Sequence, residues 1–249
     1  MLFNLDEIYT GDCLSLIENM PDNYVDVSFT SPPYNRERDD TYKHYSDTLK
    51  DYYEMLVNIT DQMIRVSKSW VIVNIQCNYY NKVDFYKYLG HFADKINGTV
   101  IWHRTNPQPN GNCNKELGIR SVVNCFEYFI VFGDGKSFYT YGDDIFYNVI
   151  ESPVNPFHVS GHKAIMHRDI CDKMISKFTK PDDVILDPFF GTGTTGVCAK
   201  SLNRHYIGFE IVPEYVDIAR QRIACEESGI DETKVTFGKH ESKQGKTLF

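Results

Sequence analysis

The 249-residue chain has no apolar run approaching the roughly 18 residues of a membrane span. Its opening residues, Met1-Leu2-Phe3-Asn4-Leu5-Asp6-Glu7, lack the basic and apolar regions of a secretory signal, so a cytoplasmic protein is expected, with no membrane partner. No Cys-x-x-Cys pair occurs. The seven cysteines are odd in number and irregularly spaced, which argues for buried free thiols over a disulfide framework, and no metal site is expected. Basic residues are scarce: 26 Lys and Arg stand against 34 Asp and Glu, for a net charge of −8. That excludes a basic surface over the whole molecule, although only the face that meets phosphate must be basic. No internal repeat or low-complexity tract stands out. The 42% of hydrophobic residues is ordinary for a globular chain, and the length suffices for one large α/β domain.

Two kinds of segment alternate. Runs rich in β-branched and aromatic residues at 25–29, 70–75, 98–102, 126–132, 183–186 and 206–209 read as strands. Residues 49–66 place Tyr52, Tyr53, Leu56, Ile59, Met63 and Val66 near one helical stripe; 169–178 and 213–227 read the same way, and a helix opens at 193–201. This alternation predicts an α/β fold over residues 1–249: a Rossmann-like, mainly parallel sheet with helices on both faces. The stretches 105–121 and 139–161 read as irregular loops, and the tail after Val235 as frayed.

Two motifs come directly after strands, which places both on one rim of the sheet, where such folds bind ligands. The first is Thr30-Ser31-Pro32-Pro33-Tyr34-Asn35. Proline cannot continue a ladder, so Pro32 and Pro33 end the strand and stiffen the residues after it. The Ser31 hydroxyl and the Pro32 carbonyl can accept both hydrogens of an amino group while Tyr34 stacks on a planar ring. Such a grip works by orientation and electrostatics, without a covalent intermediate. The second motif is Asp187-Pro188-Phe189-Phe190-Gly191-Thr192-Gly193-Thr194-Thr195. Gly191 and Gly193 permit the positive φ and close approach of a tight turn, and the helix N-terminus after them favours a carboxylate. Glu210, roughly 20 residues beyond the glycine loop, is placed to accept from ribose hydroxyls; its alternative is an exposed strand-end carboxylate.

Together these motifs resemble the amino-methyltransferases of DNA, with the catalytic motif before the cofactor motif as in their circularly permuted β group. The resemblance runs from about Gly11 to about Ala219. It implies S-adenosylmethionine as cofactor, Ser31, Pro32, Pro33 and Tyr34 as catalytic residues, and Asp187, Phe189, Gly191, Gly193, Thr194 and Glu210 as cofactor-binding residues. Gly11-Asp12-Cys13-Leu14 resembles the family's Gly-Asp element, whose acid, here Asp12, meets the adenine amino group. His162-Lys163-Ala164 resembles its His-x-Ala element, but Met166-His167 stands where the family has Phe-Pro.

The implied function is site-specific transfer of a methyl group to the exocyclic amine of a base flipped out of double-stranded DNA. Serine at the head of Pro-Pro-Tyr leans towards cytosine N4; adenine N6 is the alternative, and a non-catalytic subunit that keeps the fold is a further one. No Pro-Cys occurs, which disfavours cytosine C5 chemistry. The short 139–161 interval leaves DNA reading to loops 35–48 and 103–120. Asn35, Arg36, Arg38, Asn106, Gln108, Asn110, Asn112 and Arg120 have the side chains that read base edges, although each taken alone reads first as ordinary loop chemistry. Arg36, Arg38, Lys43, Arg104, Lys115, Arg120, Lys163 and Arg168 are candidates to converge on one basic cleft, or to lie scattered as solvated charges. So compact an apparatus suggests a short recognition site, a homodimer, or a partner protein such as a cognate restriction enzyme.

Overall fold

The computed structural model describes residues 3–36, 48–107, 113–114, 119–120, 122–134, 138–154 and 165–237, with 113–114 and 119–120 described by backbone alone. In chain order the elements are β1 (Glu7–Thr10), α1 (Cys13–Ile17), β2 (Val27–Thr30), α2 (Tyr52–Val66), β3 (Val71–Ile75), α3 (Lys82–His91), β4 (Ile96–Arg104), β5 (Cys113–Asn114), β6 (Ile119–Arg120), β7 (Phe126–Phe132), β8 (Val149–Ser152), α4 (Arg168–Phe178), β9 (Val184–Asp187), α5 (Thr194–Ser201), β10 (His205–Glu210) and α6 (Pro213–Glu227).

Eight strands form one sheet in the order β1-β10-β9-β2-β3-β7-β4-β8. All neighbours are parallel except β7, which runs against both β3 and β4. Successive strand residues face opposite sides. Val27, Phe29, Ile72, Val131 and Ile185 therefore pack with α4, α5 and α6, while Val71, Val73, Ile130, Leu186 and Ile207 pack with α1, α2 and α3. The expected helix-covered, mainly parallel sheet is the one observed.

The placement of β9 beside β2 matters most. From β2 the chain crosses through α2 to β3 on one side; from β9 it crosses through α5 to β10 on the other. Diverging connections open a crevice beyond the carboxyl ends of these two strands. The two motifs occupy that crevice from opposite sides.

Several elements carry weak local signals. The β1 strand has four residues and α1 has five, too few for a period to show. Helix α3 buries only Phe85 and Tyr88. The interval 139–161, expected to be irregular, contains β8, which among the described residues is an edge strand paired to β4. The 105–121 stretch, expected as a loop, contains the two-residue antiparallel ribbon β5–β6.

Candidate functional site

Strand β2 delivers Ser31, Pro32 and Tyr34 to a cavity of about 200 Å³, which they line with Asn74, Arg104 and Glu127 and with Asp187, Phe189, Gly191 and Thr194 from the far side. A second cavity of about 340 Å³ is lined by Asp12, Pro33, Leu49, Met55, Phe189, Gly191, Glu210, Ile211, Val212 and Tyr215. Ser31, Phe189 and Gly191 belong to both walls, so the two spaces adjoin at these three residues. Of the predicted catalytic and cofactor-binding residues only Gly193 lines neither of these cavities. Its φ is +84°, and a Cβ there would come within 2.7 Å of the Ala219 Cβ. It caps α5 and lets that helix lie close against α6.

Asp187 ties the two motifs together. Its Oδ1 accepts from the Thr30 hydroxyl at 2.6 Å and the Phe189 amide at 3.0 Å, and its Oδ2 accepts from the Thr195 hydroxyl at 2.6 Å. Strand β2 is thus pinned to the Asp187–Thr195 turn and to the start of α5. Burial pushes the carboxyl up to about 6, against the lowering effect of these donors.

Glu210 shapes the same turn from β10. Its Oε2 accepts from the Gly191 amide at 2.7 Å and its Oε1 from the Val212 amide at 2.8 Å. It is buried, not the exposed strand-end acid of the alternative expectation, and burial pushes its carboxyl up to about 7. Asp12 caps α1 by accepting from the Ser15 amide and hydroxyl, each at 2.9 Å, while its exposed carboxylate faces the second cavity.

The Tyr34 hydroxyl lies 2.7 Å from Asn74 Oδ1, 2.8 Å from Glu127 Oε2 and 3.1 Å from Ser31 Oγ. Its carbonyl accepts from the Asn78 and Asn81 side-chain amides. Arg36 sits over its ring with 5.0 Å from guanidinium to centroid, and donates to Gln76 Oε1. Burial, then the charge of Glu127, pushes the Tyr34 hydroxyl well above the usual phenol range. Among the described residues no hydrogen bond is donated to the Pro32 carbonyl.

Glu127 and Asn74 did not emerge from the sequence pattern, although each left a trace. An acid in Phe126–Phe132 and an amide in Val71–Ile75 interrupt otherwise apolar strands, and both are buried. Arg222 gave no trace. It lies 2% exposed behind the cofactor turn, donates to the Thr192 carbonyl at 2.6 Å, and pairs with Glu232 at 2.7 Å.

Several DNA-reading expectations need correction. Asn35 is buried at φ +50° and exchanges hydrogen bonds with the Leu49 backbone, so it clamps a loop. The Asn106 side chain accepts from the Val154 amide at 2.5 Å. Arg168 pairs with Glu226 at 2.7 Å and with Asp172 at 3.5 Å, fastening α4 to α6. Arg36 and Arg104 do converge on one cleft: both line the first cavity, where Arg104 pairs with Glu127 at 3.5 Å. Arg38, Lys43, Gln108, Asn110, Asn112, Lys115, His162 and Lys163 lie outside the described residues, as does the side chain of Arg120. No helix of the described residues is long and apolar enough to cross a membrane, and among them no group of His, Cys, Asp and Glu could hold a metal ion.

A family model described as DNA methylase, of the N6 and N4 type, matches residues 25–221. The type II methyltransferase M.BglII of Bacillus subtilis is 28% identical, over 90% of this chain and 70% of its own. The PvuII DNA methyltransferase, whose structure is titled cytosine-N4-specific, superposes with a TM-score of 0.72 at 21% identity, over 88% of this chain and 86% of that one. The structure of the M1.HpyAVI–SAM complex superposes with a TM-score of 0.61 at 23% identity, over 87% of this chain and 98% of that one.

Proposed function

The chain belongs to the N6/N4 DNA methylase family, and from that premise we propose that it moves a methyl group from S-adenosylmethionine to the N4 amino group of a cytosine turned out of double-stranded DNA. The observation that carries this reading is the meeting of two cavities at Ser31, Phe189 and Gly191. One space takes the methyl donor and the other the base, and Ser31, which grips the amine, lies where they join.

The residues of the second cavity fit the donor. Its volume of about 340 Å³ lies within the range of small-molecule pockets. Apolar walls from Leu49, Met55, Val212 and Tyr215 suit a flat purine, and the carboxylates of Asp12 and Glu210 suit an amino group and ribose hydroxyls. Both Glu210 oxygens already hold a backbone amide, yet each keeps a further lone pair for a hydroxyl. Phe189 and Gly191 would hold the methionine part, with Thr194 and the α5 N-terminus nearby. S-adenosylmethionine, once bound, supplies an electrophilic methyl group.

The chain's own part is to present a nucleophile. The Ser31 hydroxyl and the Pro32 carbonyl accept the two amine hydrogens, which turns the nitrogen lone pair towards the second cavity. Pro32 and Pro33 make that grip rigid, so little reorganisation is needed as charge develops. Asp187 keeps the two walls in register through Thr30 and Thr195. A base inside a duplex cannot reach this recess, so flipping is part of the reaction.

Serine at position 31 supports cytosine over adenine. Expression in methylation-free cells, digestion of the DNA to nucleosides and mass spectrometry test the reading. N4-methylcytosine is expected; N6-methyladenine would overturn the base assignment. Ser31→Ala should abolish transfer while S-adenosylmethionine still binds, and full activity in that variant would overturn the catalytic assignment. No modified nucleoside from the wild type would leave the chain as a non-catalytic subunit.

A further inference from the structure

We propose that Glu127 is a positioning residue that acts through the Tyr34 hydroxyl to make Ser31 a stronger acceptor of the amine hydrogen. The proposal rests on Ser31 holding the amine. Hydrogen counting carries it. Tyr34 has one hydroxyl hydrogen and two acceptors in reach, Asn74 Oδ1 at 2.7 Å and Glu127 Oε2 at 2.8 Å. The Asn74 amide is oriented by donation from its Nδ2 to the Tyr128 carbonyl at 3.2 Å, so its oxygen faces the hydroxyls. Arg104 holds the other Glu127 oxygen at 3.5 Å, with the two side chains 14% and 7% exposed.

A carboxylate attracts a hydroxyl hydrogen more strongly than a neutral amide does. The Tyr34 hydrogen therefore goes to Glu127, and the Tyr34 oxygen becomes a better acceptor in turn. The Ser31 hydrogen lies within reach of that oxygen at 3.1 Å and of Asn74 Oδ1 at 3.3 Å. Both draw it inward. Ser31 then shows the first cavity a lone pair and no hydrogen, which is what an amine, a double donor, requires. Without the carboxylate the inward pull weakens, because Asn74 Oδ1 is then the shared acceptor of both hydroxyls. The Ser31 hydroxyl is then free to turn its hydrogen towards a substrate that has hydrogens of its own.

Single-turnover methylation of DNA by the wild type, Glu127→Gln, Tyr34→Phe and the double variant reads this coupling. Each single variant should slow transfer roughly ten- to a hundredfold, the size of one hydrogen bond to a charged group. The S-adenosylmethionine dissociation constant should stay unchanged. The double variant should be no slower than the slower single one, because both changes cut the same chain of hydrogen bonds. Losses that multiply in the double variant would show that Glu127 acts independently of Tyr34, and would overturn the proposal. So would an unaltered rate in Glu127→Gln. Should Glu127→Gln not fold, Tyr34→Phe alone decides, since it keeps the ring and a full rate in it excludes the relay. A wild type that methylates no DNA, or an active Ser31→Ala, removes the parent reading and this one with it. An active wild type with an inactive Ser31→Ala leaves only the relay in question.

Discussion

Glu210→Gln separates two consequences of one buried carboxylate. Burial pushes this group from its ordinary 4.5 up to about 7, although the Gly191 and Val212 amides oppose the rise. The folded chain therefore holds the proton more tightly than the unfolded chain. The stability this contributes is complete below pH 4.5 and is lost as pH rises through about 7. With those two values, the contribution changes by about 2 kcal/mol between about pH 5.5 and about pH 8. Glutamine has no such proton. The wild type should lose that amount relative to Glu210→Gln over the same interval, or about 4–8 °C in Tm for a chain of this size. Asp187, pushed up to about 6, titrates in both proteins, so only its charge coupling to Glu210 enters the comparison.

Ligand binding should respond in the opposite sense. At about pH 8 the variant no longer buries a charge, which offsets the loss of one amide acceptor and keeps its stability close to that of the wild type. A single amide oxygen already engaged by a backbone N–H is a poor partner for ribose hydroxyls. Loss of one hydrogen bond to a charged group corresponds to about 1.5–3 kcal/mol, so S-adenosylmethionine should bind roughly ten- to a hundredfold more weakly. Thermal unfolding at the two pH values and calorimetric titration with S-adenosylmethionine read both effects. Parallel Tm-against-pH curves for the two proteins would refute the burial argument. An unchanged dissociation constant would refute Glu210 as a cofactor ligand.

Three further substitutions probe the frame around the site. Gly193→Ala forces a left-handed residue to carry a Cβ that meets Ala219 at 2.7 Å, so stability should fall by about 1–3 kcal/mol in denaturant titrations, and unchanged unfolding would refute the tight turn. Thr30→Val removes a 2.6 Å donor from the buried Asp187 carboxylate; a loss of about 1–3 kcal/mol is expected, with Asp187 pushed further up and its pH dependence enlarged. Arg222→Met strands Glu232 and frees the Thr192 carbonyl, which should cost about 3–5 kcal/mol in urea denaturation; adding Glu232→Leu should restore part of it, and no recovery would show that the ion pair is not the cause.

The chain alone determined the general architecture, and its two motifs carried the resemblance that implied the reaction class. Strand-like runs before Ser31-Pro32-Pro33-Tyr34 and before Asp187–Thr195 are local signals, as are the helical stripes at 49–66 and 169–178, which the structure shows as helices over Tyr52–Val66 and Arg168–Phe178. The identity of the motifs required no tertiary knowledge, since proline, glycine and aromatic residues act on the backbone beside them.

Who faces whom was decided only by the folded chain. Thr30 and Asp187 are 157 residues apart, and nothing local shows that strand order makes them partners at 2.6 Å. Glu127 and Asn74 show in the sequence only as polar interruptions of apolar strands, and Arg222 not at all, for the same reason: a buried polar side chain takes its meaning from the distant group that satisfies it. Residue type permits Asn35 and Asn106 to contact bases and Arg168 to contact phosphate, but their hydrogen bonds and ion pairs turn them towards the protein, the other outcome that the sequence leaves open. Sequence periodicity reports which face of an element is apolar. Only the packing of β2 against β9 decides that two motifs so far apart share one crevice, with Ser31 where its two spaces meet.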